Sequence, residues 1–76
     1  MVPKPGATEK EGATDVPRFA KGQPRLVGET PVEYAERLMD EEYGGRENWD
    51  TDRKARGPRS EFNRIKKYGE RHWQSP

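Results

Sequence analysis

The stretch Thr30-Pro31-Val32-Glu33-Tyr34-Ala35-Glu36-Arg37-Leu38-Met39-Asp40-Glu41-Glu42-Tyr43-Gly44-Gly45 decides the fold class. Threonine before proline, with glutamate three residues after the threonine, marks a helix start. The hydroxyl and the carboxylate satisfy amides that the first turn leaves unpaired, and the carboxylate suits the positive end of the helix dipole. Gly44-Gly45 marks the stop, because glycine takes the left-handed turn that ends a helix without a steric penalty. At about 100° per residue, Pro31, Val32, Tyr34, Ala35, Leu38, Met39 and Tyr43 share one arc. Glu33, Glu36, Arg37, Asp40 and Glu41 share the other, so the spacing predicts an amphipathic helix over about 31–43. Glu42 breaks the pattern, in the middle of the apolar arc.

Downstream, residues 44–57 hold Gly44, Gly45, Asn48, Asp50, Asp52 and Gly57 and read as a loop anchored by Trp49. A second helix is predicted over about 58–72, opening at Pro58 or Ser60 with Gly57 or Ser60 as cap. Pro58, Phe62, Ile65, Tyr68, Gly69 and Trp73 fall on its apolar arc, which also contains His72. Gly69 is open to two readings, a close helix contact or an early helix end. Upstream, Pro3, Pro5, Pro17 and Pro24 alternate with Gly6, Gly12 and Gly22, and no apolar period survives them. Residues 1–25 read as a flexible Pro/Gly-rich linker, with an extended arm lying over the domain as the alternative. Residues 26–76 form the domain. No alternation is long enough for a strand, Leu26-Val27 coming nearest. The expected fold is therefore small and mainly α, with two principal helices behind an extended or disordered N-terminal segment.

Composition narrows the function. Seventy-six residues hold one small domain at most, and 38 % charged against 28 % hydrophobic residues leaves a thin core. The absence of cysteine excludes a disulfide scaffold and a thiol nucleophile, and a single histidine excludes a zinc cage. Apolar runs of no more than two residues give nothing that inserts into a membrane. Asp50, Asp52 and Glu61 match three positions of a calcium loop, but Lys54 and Ala55 stand where that loop needs a ligand and a glycine. No metal and no cofactor are expected.

A formal net charge of +1 conceals two opposed halves. Residues 29–50 carry eight acidic and two basic groups, whereas 51–76 carry eight basic and three acidic ones. Arg59, Arg64, Lys66, Lys67 and Arg71 lie opposite the apolar stripe of the second helix, with Arg53, Lys54 and Arg56 just upstream. An outward cationic surface of this kind attracts a phosphate backbone, and Trp49, Tyr68 and Trp73 at its margins are candidates to stack on unpaired bases. The bland alternative is that the acidic and basic halves neutralise each other within the fold.

RNA can be cleaved without metal when its own 2′-hydroxyl attacks, provided that the protein supplies a base, an acid and cations. His72 is the one side chain with an ordinary pKa near neutrality. Glu42 is the one carboxylate expected in an apolar setting, where burial raises a pKa. These two are the acid/base candidates, with Arg59 and Arg71 as charge stabilisers; a purely structural Glu42–His72 pair is the competing reading. Glu61 is no substitute, since on an unbroken helix it lies about 16 Å from His72.

The segment Gly57-Pro58-Arg59-Ser60-Glu61-Phe62-Asn63-Arg64-Ile65-Lys66-Lys67-Tyr68-Gly69-Glu70-Arg71-His72-Trp73, with Thr30-Pro31-Val32-Glu33-Tyr34-Ala35 and Asp40-Glu41-Glu42-Tyr43-Gly44, resembles the C-terminal tips of bacterial polymorphic toxins. These are the Rhs-repeat, filamentous-haemagglutinin and contact-dependent-inhibition proteins, and the resemblance covers about residues 28–73. It implies a small effector, often a nuclease, delivered as part of a larger secreted or cell-surface protein into the cytoplasm of a rival cell. It also implies a cognate immunity protein that binds the active surface. The resulting expectation is a monomeric, metal-independent ribonuclease toxin acting on tRNA or rRNA, with RNA and the immunity protein as partners and no membrane. The alternatives are a non-enzymatic module that binds nucleic acid or the ribosome, and a protein-interaction module.

Overall fold

Thr30 opens the first helix in the manner its sequence predicts. Its Oγ1 accepts from the Glu33 amide at 3.1 Å, while Glu33 Oε1 accepts from the Thr30 amide at 2.9 Å, the reciprocal pair of a capping box. In the computed structural model, which describes residues 1–3 and 16–74, this helix, α1, spans Pro31–Tyr43. Gly44 ends it at φ 81°, donating its amide to the Asp40 carbonyl at 2.8 Å. The second helix, α2, spans Glu61–His72 and is capped by Ser60, whose Oγ accepts from the Asn63 amide at 3.1 Å. Pro58 and Arg59 precede α2 rather than open it, because the capping backbone at Ser60 is extended. The intervening loop contains two short 3-10 turns, Arg46–Asn48 and Arg53–Arg56. Asp52 caps the second, accepting from the amides of Lys54 and Ala55.

The two helices are antiparallel. Tyr34, early in α1, lies against Gly69, late in α2, while the Tyr43 hydroxyl at the end of α1 donates to Glu61 at the start of α2. Gly69 is buried at this contact, and a methyl group there would sit 2.7 Å from Cδ2 of the Tyr34 ring. Of the two readings of this glycine, close approach is the one observed. Tyr34, Ala35, Leu38 and Met39 from α1 pack with Phe62, Ile65 and Tyr68 from α2, and Trp49, Trp73 and Ala20 complete the core. The Trp49 and Phe62 rings stack with centroids 5.6 Å apart.

Residues 16–25 correct the linker reading, since they belong to the domain. Pro17 and Ala20 are buried, Phe19 meets Tyr43 edge-on, and four hydrogen bonds tie the segment to the helices, one of them from Arg37 of α1 to the Pro24 carbonyl at 3.1 Å. The Gly22 amide donates to the Tyr68 hydroxyl at 2.9 Å, the Tyr34 hydroxyl donates to the Gln23 carbonyl, and Arg25 donates to the Gly69 carbonyl at 2.7 Å. The linker reading for residues 4–15 lies outside the described residues. Leu26-Val27 does not form an edge strand: the Glu29 amide closes a turn onto the Leu26 carbonyl, and both apolar side chains are exposed. The pairing that does occur is unforeseen, with β1 (Val2–Pro3) antiparallel to β2 (Trp73–Gln74). Two-residue strands are too short for alternation to announce them. No helix among the described residues is long and apolar enough to cross a membrane.

Gly69→Ala tests the close contact. Its gain in helix propensity is about 1 kcal/mol, but the methyl group must displace a fully buried ring, at about 1–3 kcal/mol. A lower melting temperature is expected by circular dichroism; an unchanged or raised value would mean that Tyr34 has room to yield.

Candidate nucleic-acid interface

The loop between the helices is held by arginines. Arg56 donates to Glu36 on α1 at 2.7 Å and to Asp50 at 2.8 Å, and its guanidinium lies 4.5 Å from the Phe62 ring centroid and 5.3 Å from that of Trp49. Arg46 covers Trp49 at 5.6 Å and bonds both Glu36 and Asp40. The Trp49 indole N–H donates to Asp40 at 2.6 Å. A thin core thus gains lids whose aliphatic and planar parts cover aromatic rings while their charges meet carboxylates. Arg56, expected on the nucleic-acid surface, is committed to this clasp. Neutralisation between the acidic and basic halves therefore accounts for Arg56, while Arg46 pairs within the acidic half; spacing exposed neither, because the partners come from separate elements.

The other expected cations divide by exposure. Arg53, Lys54, Arg59, Lys67 and Arg71 are exposed, Lys66 is half-buried, and none of the six forms an ion pair with another described residue. Arg64 is half-buried and engaged within the fold. On α2, Lys67 and Arg71 stand one turn apart on the side away from Phe62 and Ile65. Near the start of the helix, Lys54 and Arg59 border an open cleft of about 450 Å³ completed by Gly57, Pro58 and Ser60. The exposed charges thus run from the Arg53–Arg56 turn along α2.

The expected stacking residues are not on this surface. Trp49, Tyr68 and Trp73 are 8 %, 3 % and 6 % exposed and serve the core. Trp73, assigned from sequence to base stacking, follows α2 directly, pairs in β2 and packs edge-on against Tyr68. At such a position an indole covers the end of the core better than it serves a ligand.

The acid/base pair is also separated. Glu42 is exposed near the end of α1 and His72 closes α2, so the antiparallel arrangement puts them at opposite ends of the helix pair. From Tyr34, which meets the end of α2, eight residues of α1 carry Glu42 about 12 Å along the axis. Glu42 leaves the apolar arc because the core stops at Met39, one turn short of it. His72 stacks on Tyr68 at 4.7 Å and meets Trp73 edge-on at 4.6 Å. Burial lowers its pKa from 6.5, and its Nδ1 is buried without a hydrogen-bond partner. The ring is a neutral packing element near pH 7. Tyr43 is pushed up to about 12, chiefly by its hydrogen bond to Glu61 and further by burial and the charges of Glu61 and Glu42. Among the described residues no group of three or more His, Cys, Asp or Glu side chains is placed to hold a metal ion.

Set against protein families, curated proteins and solved structures, the chain finds no match in any of the three.

Two outcomes follow for stability. Arg56→Ala removes the cover over Trp49 and Phe62 and is expected to cost about 1–2 kcal/mol, read as an earlier urea midpoint. On acidification two steps are expected. His72 takes up a proton more readily unfolded than folded, so stability falls as pH drops through about 6.5, and His72→Phe removes that step. Asp40 is held below its ordinary 3.8 by Arg46 and then by Trp49. Its contribution is complete above that value and vanishes as pH falls through the depressed one, a loss that Asp40→Asn flattens in thermal melts.

Proposed function

We propose that this chain is an RNA-directed toxin tip that engages the phosphate backbone through the outward cations of residues 53–71. The observation that carries the reading is the set Arg53, Lys54, Arg59, Lys66, Lys67 and Arg71, which form no ion pair with another described residue. Cations that fold-internal carboxylates do not neutralise retain their attraction for a polyanion and release its counterions on contact. Arg46 and Arg56 meanwhile pair with Glu36, Asp40 and Asp50 and offset two of their three negative charges, which reduces the repulsion between RNA and the acidic helix. The toxin setting rests on the resemblance of residues 28–73: delivery within a larger secreted or cell-surface protein, action in the cytoplasm of a rival cell, and an immunity protein over the cationic face.

Cleavage is a second reading, favoured by one observation: burial holds His72 neutral near pH 7, the state in which an imidazole accepts a proton. In that reading His72 takes the proton of the attacking 2′-hydroxyl without Glu42, the leaving 5′-oxygen takes its proton from water, and Arg71, next to His72 in the chain, stabilises charge on phosphorus.

Fluorescence anisotropy with labelled tRNA between 50 and 300 mM salt tests binding. Affinity should fall steeply with salt, and Lys67→Ala combined with Arg71→Ala should reduce the logarithmic salt slope by roughly 1–2. No binding at low salt would refute the reading. Incubating tRNA and total RNA with the protein in EDTA tests cleavage: intact RNA with both wild type and His72→Ala excludes the enzymatic version. Expression in bacteria should stop growth, and unimpaired growth excludes the toxin setting.

A further inference from the structure

Resting on the RNA reading above, we propose that the cationic face selects base-paired RNA over unpaired strands. All seven aromatic residues lie within the described residues, and the fold consumes nearly all of them. Tyr34, Trp49, Phe62, Tyr68 and Trp73 are buried in the core, and Phe19 is partly buried against it. Tyr43 alone is exposed, but Phe19 meets its ring edge-on and Glu61 accepts from its hydroxyl. The strip bearing Arg53, Lys54, Arg59, Lys67 and Arg71 therefore offers charge without an aromatic platform.

That combination separates the two forms of RNA. Unpaired strands are held largely by bases stacked on exposed aromatic rings, and little of that attraction is available here. A duplex keeps its bases stacked on one another and presents two phosphate strands, so it needs only cations spaced along a surface. From Glu61 to Arg71, α2 extends about 15 Å at the helical rise, with Arg59 just ahead of it, long enough to lie across more than one phosphate of a duplex. Paired RNA meets what this face offers; an unpaired strand lacks the stacking partners it would need.

The experiment compares a labelled RNA hairpin with an unstructured uracil-only strand of the same nucleotide count, by anisotropy at one salt concentration in EDTA, with intact RNA confirmed on a gel. The hairpin is expected to bind about tenfold more tightly, given the loss of base–aromatic stacking. The Lys67→Ala, Arg71→Ala double variant, whose exposed side chains leave the core untouched, should weaken hairpin binding while its circular dichroism stays unchanged. Equal or tighter binding of the uracil strand overturns the preference for paired RNA and leaves RNA binding intact. Failure of both RNAs to bind overturns the reading on which this inference rests.

Discussion

Two tyrosine hydroxyls at the contact between the helices determine how the rest of the chain must be arranged. Tyr34 is fully buried and Tyr68 nearly so, and a buried hydroxyl without a partner costs about 1–3 kcal/mol. Neither is answered by the opposing helix. Gln23 accepts from Tyr34 and Gly22 donates to Tyr68, so two consecutive backbone groups of one arm settle both. Arg25, two residues on, satisfies the carbonyl of Gly69. The arm is thereby as much part of the core as the helices are, despite a proline- and glycine-rich composition that suggests a tether.

The same economy governs charge. A small core leaves ring faces close to solvent, and Arg46 and Arg56 cover them while pairing with Glu36, Asp40 and Asp50. Exposed pairs of this sort contribute little singly, but here they also fasten a loop to α1 and shield Trp49. Arg53, Lys54, Arg59, Lys67 and Arg71 form no ion pair with another described residue. Sorting the arginines and lysines into these two sets turns a near-neutral chain into one with a charged face available to a polyanion.

Aromatic residues are where structure and proposed function compete. A chain of this size has few large side chains with which to build an interior, and it spends its tryptophans there. His72 follows the same logic: its ring extends the Tyr68–Trp73 cluster, with burial favouring the neutral imidazole. What remains outward between residues 53 and 71 is mainly cationic, which favours recognition by charge and spacing over recognition of individual bases.

The helix boundaries near Thr30, Gly44 and Ser60 were legible in the sequence, as was the stripe through Tyr34, Leu38, Phe62, Ile65 and Tyr68. So was the exposure of Arg59, Lys67 and Arg71. Each follows from residues within a turn or two of one another, where backbone geometry alone sets which groups meet. The arm, the Arg56 clasp, the burial of Trp73 and the separation of Glu42 from His72 were decided by tertiary structure. Gly22 meets Tyr68 across 46 positions and Arg56 meets Glu36 across 20. Helical periodicity cannot see contacts at that range, because they depend on how the helices are oriented and on which polar groups burial leaves in need of a partner.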